Sequence, residues 1–582
     1  MLVLSGHLNY IAYRSFVKCW KNAKKIVELV KYKMIQRFLN SQTRSISSAS
    51  LILAISYLAS AFLGLFRDRL LAGTFGAGNE LDVYYAAFTV PDFIALILIF
   101  GAISAAIIPI FSSYIIKDKE EAWKYVSSLF NIFLSFLITV CVFLIIFTPF
   151  IISLVAPGFS GEKREMAILL MRIMFLSPII LGASNMISGI LQVFHRFLVT
   201  ALCPIMYNIG IIIGILFFVP KLGIAGLAWG VVLGGVLHLA IQIPAFIFSG
   251  FKYKLSFDYK HEGVQKTIKL MAPRSLGLAA GQLNTIVITA IASTLMAGSI
   301  AVFNLANNLS AILVNTVALS LSTAIFPSMS MAFIEADEKK FLQKFSNAFR
   351  QTIFLVIPMS ILILILRAQI VRVILGAGKF GWVDTKLTTA CLGILAISLF
   401  AQGLIFILSK TFYASHNTVI PAVISGATVV FNIILSLFLI WLIKFSVSFS
   451  IFIQVFFRLE GVKNIGIIAL AMAFSITAIL ECFLLIYMLY KKFPNLKIKE
   501  ISDSVLKIII ASTVMALLTF LVRQWLGSSV SLQTFWGVFF QLIASGAVGV
   551  ATYIFVAYFL KSSEINILGN SFLSKFAVKS DK

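Results

Sequence analysis

The stretch Gly64-Leu-Phe-Arg-Asp-Arg-Leu-Leu-Ala-Gly-Thr-Phe-Gly-Ala-Gly-Asn-Glu-Leu-Asp82 sets dense charge between two long apolar runs. Arg67, Asp68 and Arg69 close the first run. In hydrocarbon each such charge costs about 2.5–3.5 kcal/mol, so these side chains must reach an interface, a partner or a water-filled cavity. Gly73, Gly76 and Gly78 are expected to release the chain from the helix and turn it back, with Asp82 opening the next helix.

Working outward, the composition matches that reading. The chain has 582 residues, 60% of them hydrophobic and only 12% charged, and a mean hydropathy of +1.02, which makes it a polytopic membrane protein. Fourteen spans are expected, at about 46–66, 82–115, 126–155, 165–194, 198–219, 223–248, 265–296, 299–333, 342–366, 386–414, 417–441, 465–490, 501–522 and 535–560. The segment Phe445 to Phe457 is apolar but too short to cross. A formal charge of +25 invites a nucleic-acid partner, yet about 32 of the 47 Lys and Arg fall on the side of the termini, as the positive-inside rule requires. Basicity therefore reports topology: no nucleic acid, and both termini cytoplasmic. Residues 1–45 hold nine Lys or Arg against Glu28 alone and read either as an amphipathic helix on anionic lipid or as a basic tail without structure. The five cysteines are scattered, without metal spacing, and read as packing residues.

An internal repeat runs at an offset of 218 residues. Pro109 maps onto Pro327, each expected to end the second helix of its half; Gly158 maps onto Gly376, and Phe194-His195 onto Phe412-Tyr413. The expected fold class is thus all-α, with about 14 transmembrane helices: two six-helix lobes in a pseudo-twofold arrangement, with the substrate site between them, plus two extra C-terminal helices. The domains would be a 1–45 extension, a 46–249 N-lobe, a 264–491 C-lobe, helices 13 and 14 at 500–561, and a 562–582 cytoplasmic tail.

Leu63-Gly64-x-x-Arg67-Asp68, then Phe75-Gly76-Ala77-Gly78-x-x-x-Asp82, then Pro91, resembles the signature of the MurJ/MviN lipid II flippases, within the superfamily of drug, oligosaccharidyl-lipid and polysaccharide exporters. The resemblance covers about 47–560. It implies alternating-access translocation of an undecaprenyl-diphosphate-linked peptidoglycan precursor across the plasma (inner) membrane for cell-wall synthesis, with membrane lipids as the other partner and a monomer as the working unit. It also implies that 500–561 forms a groove for the lipid tail. No cofactor is implied; coupling to the membrane potential or to a monovalent cation stays open. The chain departs from the family where Ala61, Ala95 and Asn308 stand at positions of cavity arginines and Phe100 at that of a gate glutamate. That departure leaves open a flippase for another polyprenyl-linked glycan, a cation-coupled drug exporter, or a non-transporting scaffold.

The candidate substrate-binding residues are Arg67, Asp68, Asp82, Arg274, Asn304, Asn307 and Asn308. Arg67 either contacts the diphosphate or forms a structural salt bridge; Asp82 either ties down the glycine turn or belongs to an exchanging ion pair. Asn304, Asn307, Asn308 and Asn315 share one helical face, which looks into the cavity or supplies interhelical hydrogen bonds. Arg274 is the one added cation that could replace the missing arginines, with the Asn307 and Asn308 amides as neutral donors, and Pro273 would free backbone N–H groups beside it. The competing reading places Arg274 at the cytoplasmic lipid phosphates. Arg172, the other intramembrane cation, either snorkels to an interface or contacts the ligand, and Gly226, Gly230 and Gly234 read as a close packing seam. Glu481 is the one acid expected deep in a span. Gly376-Ala-Gly-Lys379-Phe380 fails as a phosphate loop because Val373 occupies the earlier glycine position and no Ser or Thr follows the lysine. With no metal or triad pattern, an enzyme is not expected.

Overall fold

The computed structural model describes residues 46–100, 103–251, 253–462 and 465–565, and no side chains at 46–51, 98–100, 103–106, 272–281 or 313–315. The basic extension 1–45 and most of the 562–582 tail lie outside the described residues.

Hydrocarbon leaves a backbone no partner but itself, and these apolar runs answer by forming helices. The first half comprises α1 (Ile46–Phe75), α2 (Asn79–Ile94), α3 (Ile103–Lys117), α4 (Lys119–Ile146), α5 (Thr148–Val155), α6 (Gly161–Met174), α7 (Leu176–Val193), α8 (Phe197–Ile213), α9 (Val219–Leu222), α10 (Ala225–Ala240) and α11 (Ile243–Ile247). The second half comprises α12 (Glu262–Ser293), α13 (Ser299–Val314), α14 (Ser320–Ile334), α15 (Glu338–Ile374), α16 (Trp382–Ala414), α17 (Val419–Phe445), α18 (Val447–Phe456) and α19 (Gly466–Lys492). The last pair is α20 (Ile498–Ser529) and α21 (Phe535–Phe559). Among the described residues there is no strand, and eleven helical segments are long and apolar enough to cross a membrane. The expected spans 46–66, 82–115 and 265–296 coincide with helices but are not among those eleven. Large apolar side chains such as Phe143, Phe217, Ile434 and Phe555 face outward, the inverse of a soluble surface.

Four local expectations change. The first helix outruns the expected span 46–66: α1 runs through Arg67, Asp68 and Arg69 to Phe75, because those charges find partners inside the bundle and the helix need not stop to expose them. The turn is confined to Gly76–Gly78, and Asn79, not Asp82, opens α2. Pro109 and Pro327 lie inside α3 and α14 and do not terminate them; a π-helical segment precedes each of these helices, Ala95–Phe100 and Asn315–Leu319. α12 is likewise continuous across position 273, so the expected helix start or break at Pro273 is absent.

The Gly226–Gly234 seam is real: a Cβ on Gly210 or Gly214 would collide with the backbone of Gly234 or Gly230 on α10. At one end of the bundle, called here the tail end, Glu564 accepts hydrogen bonds from Ser504 and Ser562 beside Arg350. Burial raises the Glu564 carboxyl, but those hydrogen bonds and the Arg350 charge outweigh it and hold the group below its usual range. Also at this end the two halves meet through Tyr125, 2.7 Å from Thr267, and His261, 3.1 Å from Glu121.

Candidate functional site

The opposite end, the latch end, is built from the signature stretch. Arg67 donates from Nε and Nη2 to one carboxylate oxygen of Asp68, at 3.0 and 2.8 Å, and from Nη1 to Asn208 at 3.1 Å. The other Asp68 oxygen accepts from the Asn308 amide at 3.2 Å. This chain crosses from the first half to the second, with Asp68 only 3% exposed. Burying an ion pair is tolerable because every charge in it is paired or hydrogen-bonded.

Asp82 lies closer to the end of the bundle. One oxygen accepts the Gly298 N–H at 2.7 Å and the Lys163 ammonium at 3.2 Å; the other accepts the Ala301 N–H at 2.9 Å. Asp82 therefore caps the N-terminus of α13 from across the interface, where free N–H groups and the helix dipole favour an anion. Gly298 has φ +89°, and a Cβ there would strike the Ala77 carbonyl, so the approach requires glycine.

Arg69 donates to the Val373 carbonyl at 2.5 Å and stacks over the Phe535 ring. Lys379 N–H donates to the Gly73 carbonyl at 2.8 Å, and Ala77 N–H to Asp384 at 3.3 Å. Gly158 N–H meets Ser293 at 3.0 Å. These contacts obey the repeat: the loop after α1 packs on the loop after α15, and the loop containing Gly158 packs on the loop after α12, the pairing a twofold axis would exchange. The latch end is shut.

Between the two closed ends remains a cavity of about 70 Å³ lined by Tyr85, Thr89, Asp92, Gln282, Thr285 and Asn304, among others. Asn304 thus faces the cavity, and Asn308 faces Asp68. Asn307 is half-buried. The Arg274 and Asn315 side chains lie outside the described residues. Arg172 donates to the Ile145 carbonyl and is exposed, as snorkelling requires. Glu481 accepts from Ser425 and Thr428 within the α17–α19 pair.

The family model for "Lipid II flippase MurJ" matches residues 71–545. The chain belongs to the MurJ family. A "Probable lipid II flippase MurJ" of Buchnera aphidicola subsp. Schizaphis graminum is 29% identical over 81% of this chain and 95% of its own length. The "Lipid II flippase MurJ" of Burkholderia cenocepacia is 27% identical over 63% of this chain and 73% of its own length. Among solved structures, "Lipid II flippase MurJ, inward closed conformation" aligns with TM-score 0.70 at 26% identity, covering 88% of this chain and 99% of that one. An inward-facing multidrug resistance MATE transporter aligns with TM-score 0.60 at 16% identity, over 76% and 99%, which speaks to the fold alone.

Within this MurJ-family site, Lys163, Asp384, Arg69 and Asp92 escaped the reading of the sequence as site residues. The first two were accessible through the repeat, since Lys163 and Asp384 follow the matched glycines Gly158 and Gly376. Asp92 follows Pro91 directly and is a second acid within a span, alongside Glu481.

Proposed function

We propose that the chain is a lipid II flippase that carries an undecaprenyl-diphosphate-linked peptidoglycan precursor across the plasma membrane by alternating access, with fourteen spans, both termini cytoplasmic and the latch end facing outward. The observation that carries this reading is the latch: charged residues of the family signature join the two halves at one end through contacts that can break as a set. In the closed state Arg67 is held by Asp68 and Asn208 of its own half; when the halves part, Asp68 loses Asn308, and a diphosphate can then compete with Asp68 for the fork-shaped guanidinium bidentately. Asp92 and the amides of Gln282 and Asn304 would face the sugar and peptide portions.

Arg274, with Asn307 and Asn308, supplies the second half's share of head-group binding in this reading. It rests on charge: a diphosphate leaving water needs compensation, and three family arginines are replaced by Ala61, Ala95 and Asn308. Binding to the purified protein tests it, with Arg274→Ala expected to weaken precursor affinity more than Arg274→Lys; unchanged affinity in both points to a less anionic polyprenyl-linked glycan. The energy comes from the membrane potential, which favours outward movement of an anion by about 2.3 kcal/mol per charge per 100 mV. Translocation of isotope-labelled lipid II in proteoliposomes tests the whole reading: potential-stimulated flipping is expected, and its absence with correctly inserted protein overturns it.

A further inference from the structure

A second, larger cavity of about 730 Å³ opens at the latch end, away from the interface between the halves, where the ends of α15 and α16 meet α20 and α21. Its charged lining is one-sided: Arg367, Arg372, Lys386, Arg458 and Arg523 against Glu460. Among the described residues none of these four arginines has a carboxylate within 4.0 Å. Arg367 donates to the Leu364 carbonyl at 2.8 Å and Arg523 to the Ile365 carbonyl at 2.6 Å, which fixes both side chains on α15 and leaves further N–H donors for a ligand. Arg523 also lies over the Phe520 ring and Arg372 over that of Trp382. Thr389 adds a buried hydroxyl without a protein partner.

Arg458 bears separate witness. α18 ends with Leu459 N–H on the Gln454 carbonyl and Arg458 N–H on the Val455 carbonyl, the helix ending whose penultimate position glycine usually takes. Arg458 occupies it at φ +56°, a conformation unfavourable to a side chain, and lines the cavity.

We infer that this cavity binds the phosphate of a net anionic membrane lipid, distinct from the translocated cargo. Converging guanidinium groups match phosphate oxygens in pairs, whereas a neutral or cationic head would leave them uncompensated. The apolar part of the wall, including Phe457, Phe520, Leu532 and Val538, suits the start of an acyl chain more than a free ion. Trp525 and Trp536 project outward from α20 and α21 at the same end, which sets the cavity at headgroup depth. The inference stands without the flippase reading, since it uses no residue of the latch.

Full-length protein in phosphatidylcholine vesicles, with transfer from tryptophan to a dansyl-tailed lipid as readout, tests it. Dansyl phosphatidylglycerol should be preferred over dansyl phosphatidylcholine by about tenfold, a difference of about 1.4 kcal/mol. Arg367→Gln combined with Arg523→Gln should bring the preference near unity. Arg458→Gly, which suits the left-handed backbone and so spares the fold, should lower it several-fold. Equal transfer from both lipids, or a preference unchanged in either variant, overturns the inference. Displacement by inorganic pyrophosphate at matched phosphate concentration would assign the cavity to a free phosphate and overturn the lipid.

Discussion

Asp82 makes three hydrogen bonds with one carboxylate, two of them to main-chain N–H groups of another helix and one to an ammonium. Charge-assisted bonds of this kind contribute about 1.5–3 kcal/mol each. Asp82→Asn keeps the shape, removes the ion pair and turns one acceptor into a donor facing an N–H. The closed state should lose at least 1.4 kcal/mol, about tenfold in population. Maleimide labelling of Asn304→Cys from the latch side should quicken by that factor; an unchanged rate would show that Asp82 does not hold the halves together. Arg67 has a different part. It is paired within its own half, so Arg67→Ala should abolish flipping at normal membrane abundance, whereas parallel loss of abundance and activity would reduce it to a structural partner of Asp68.

Glycine contacts between loops make the latch an element-scale device. A Cβ placed on Gly73 falls 3.5 Å from Cβ of Ala377, within the range a disulfide spans. Gly73→Cys with Ala377→Cys should therefore cross-link on oxidation, stop translocation, and recover on reduction; activity that survives complete cross-linking would mean the latch need not open. The π-helical segments at Ala95–Phe100 and Asn315–Leu319 stand at matching places in the two halves, each ahead of a proline-bearing helix. Segments of this kind carry a looser hydrogen-bond ladder and are the natural places for α2 and α13 to flex against their continuations. Neither segment was legible in the sequence, since Ala-Leu-Ile-Leu-Ile-Phe reads as ordinary apolar helix. The first span, drawn as 46–66, fell short of α1 for a related reason: charge stays inside a helix where partners wait, and Asn208 and Asn308, far along the chain, are those partners.

For the whole molecule, the testable quantity is orientation. With both termini cytoplasmic, Gly527→Cys between α20 and α21 should react with an impermeant thiol reagent from outside, and Lys260→Cys only after the membrane is opened; the reverse pattern would invert the proposed direction of transport. Fold class was readable because hydrocarbon permits so few backbone solutions that apolar length alone selects among them. The site was readable only in part. Arg67, Asp68 and Asp82 announce themselves by charge, but what they grip is largely amide, carbonyl and backbone N–H on distant segments, groups that every residue carries and that leave no mark in the sequence. Only the repeat, followed through its twofold, leads from Gly158 and Gly376 to Lys163 and Asp384.

That same anonymity shapes how the latch can change by heredity. The α13 groups held by Asp82 belong to the main chain, so no substitution on that helix can restore a defect at position 82 by offering a matching side chain, and Gly298 itself cannot accept one. Selection for suppressors of Asp82→Asn should return changes at Lys163 or in the loop joining α15 to α16, and leave residues 298–301 untouched.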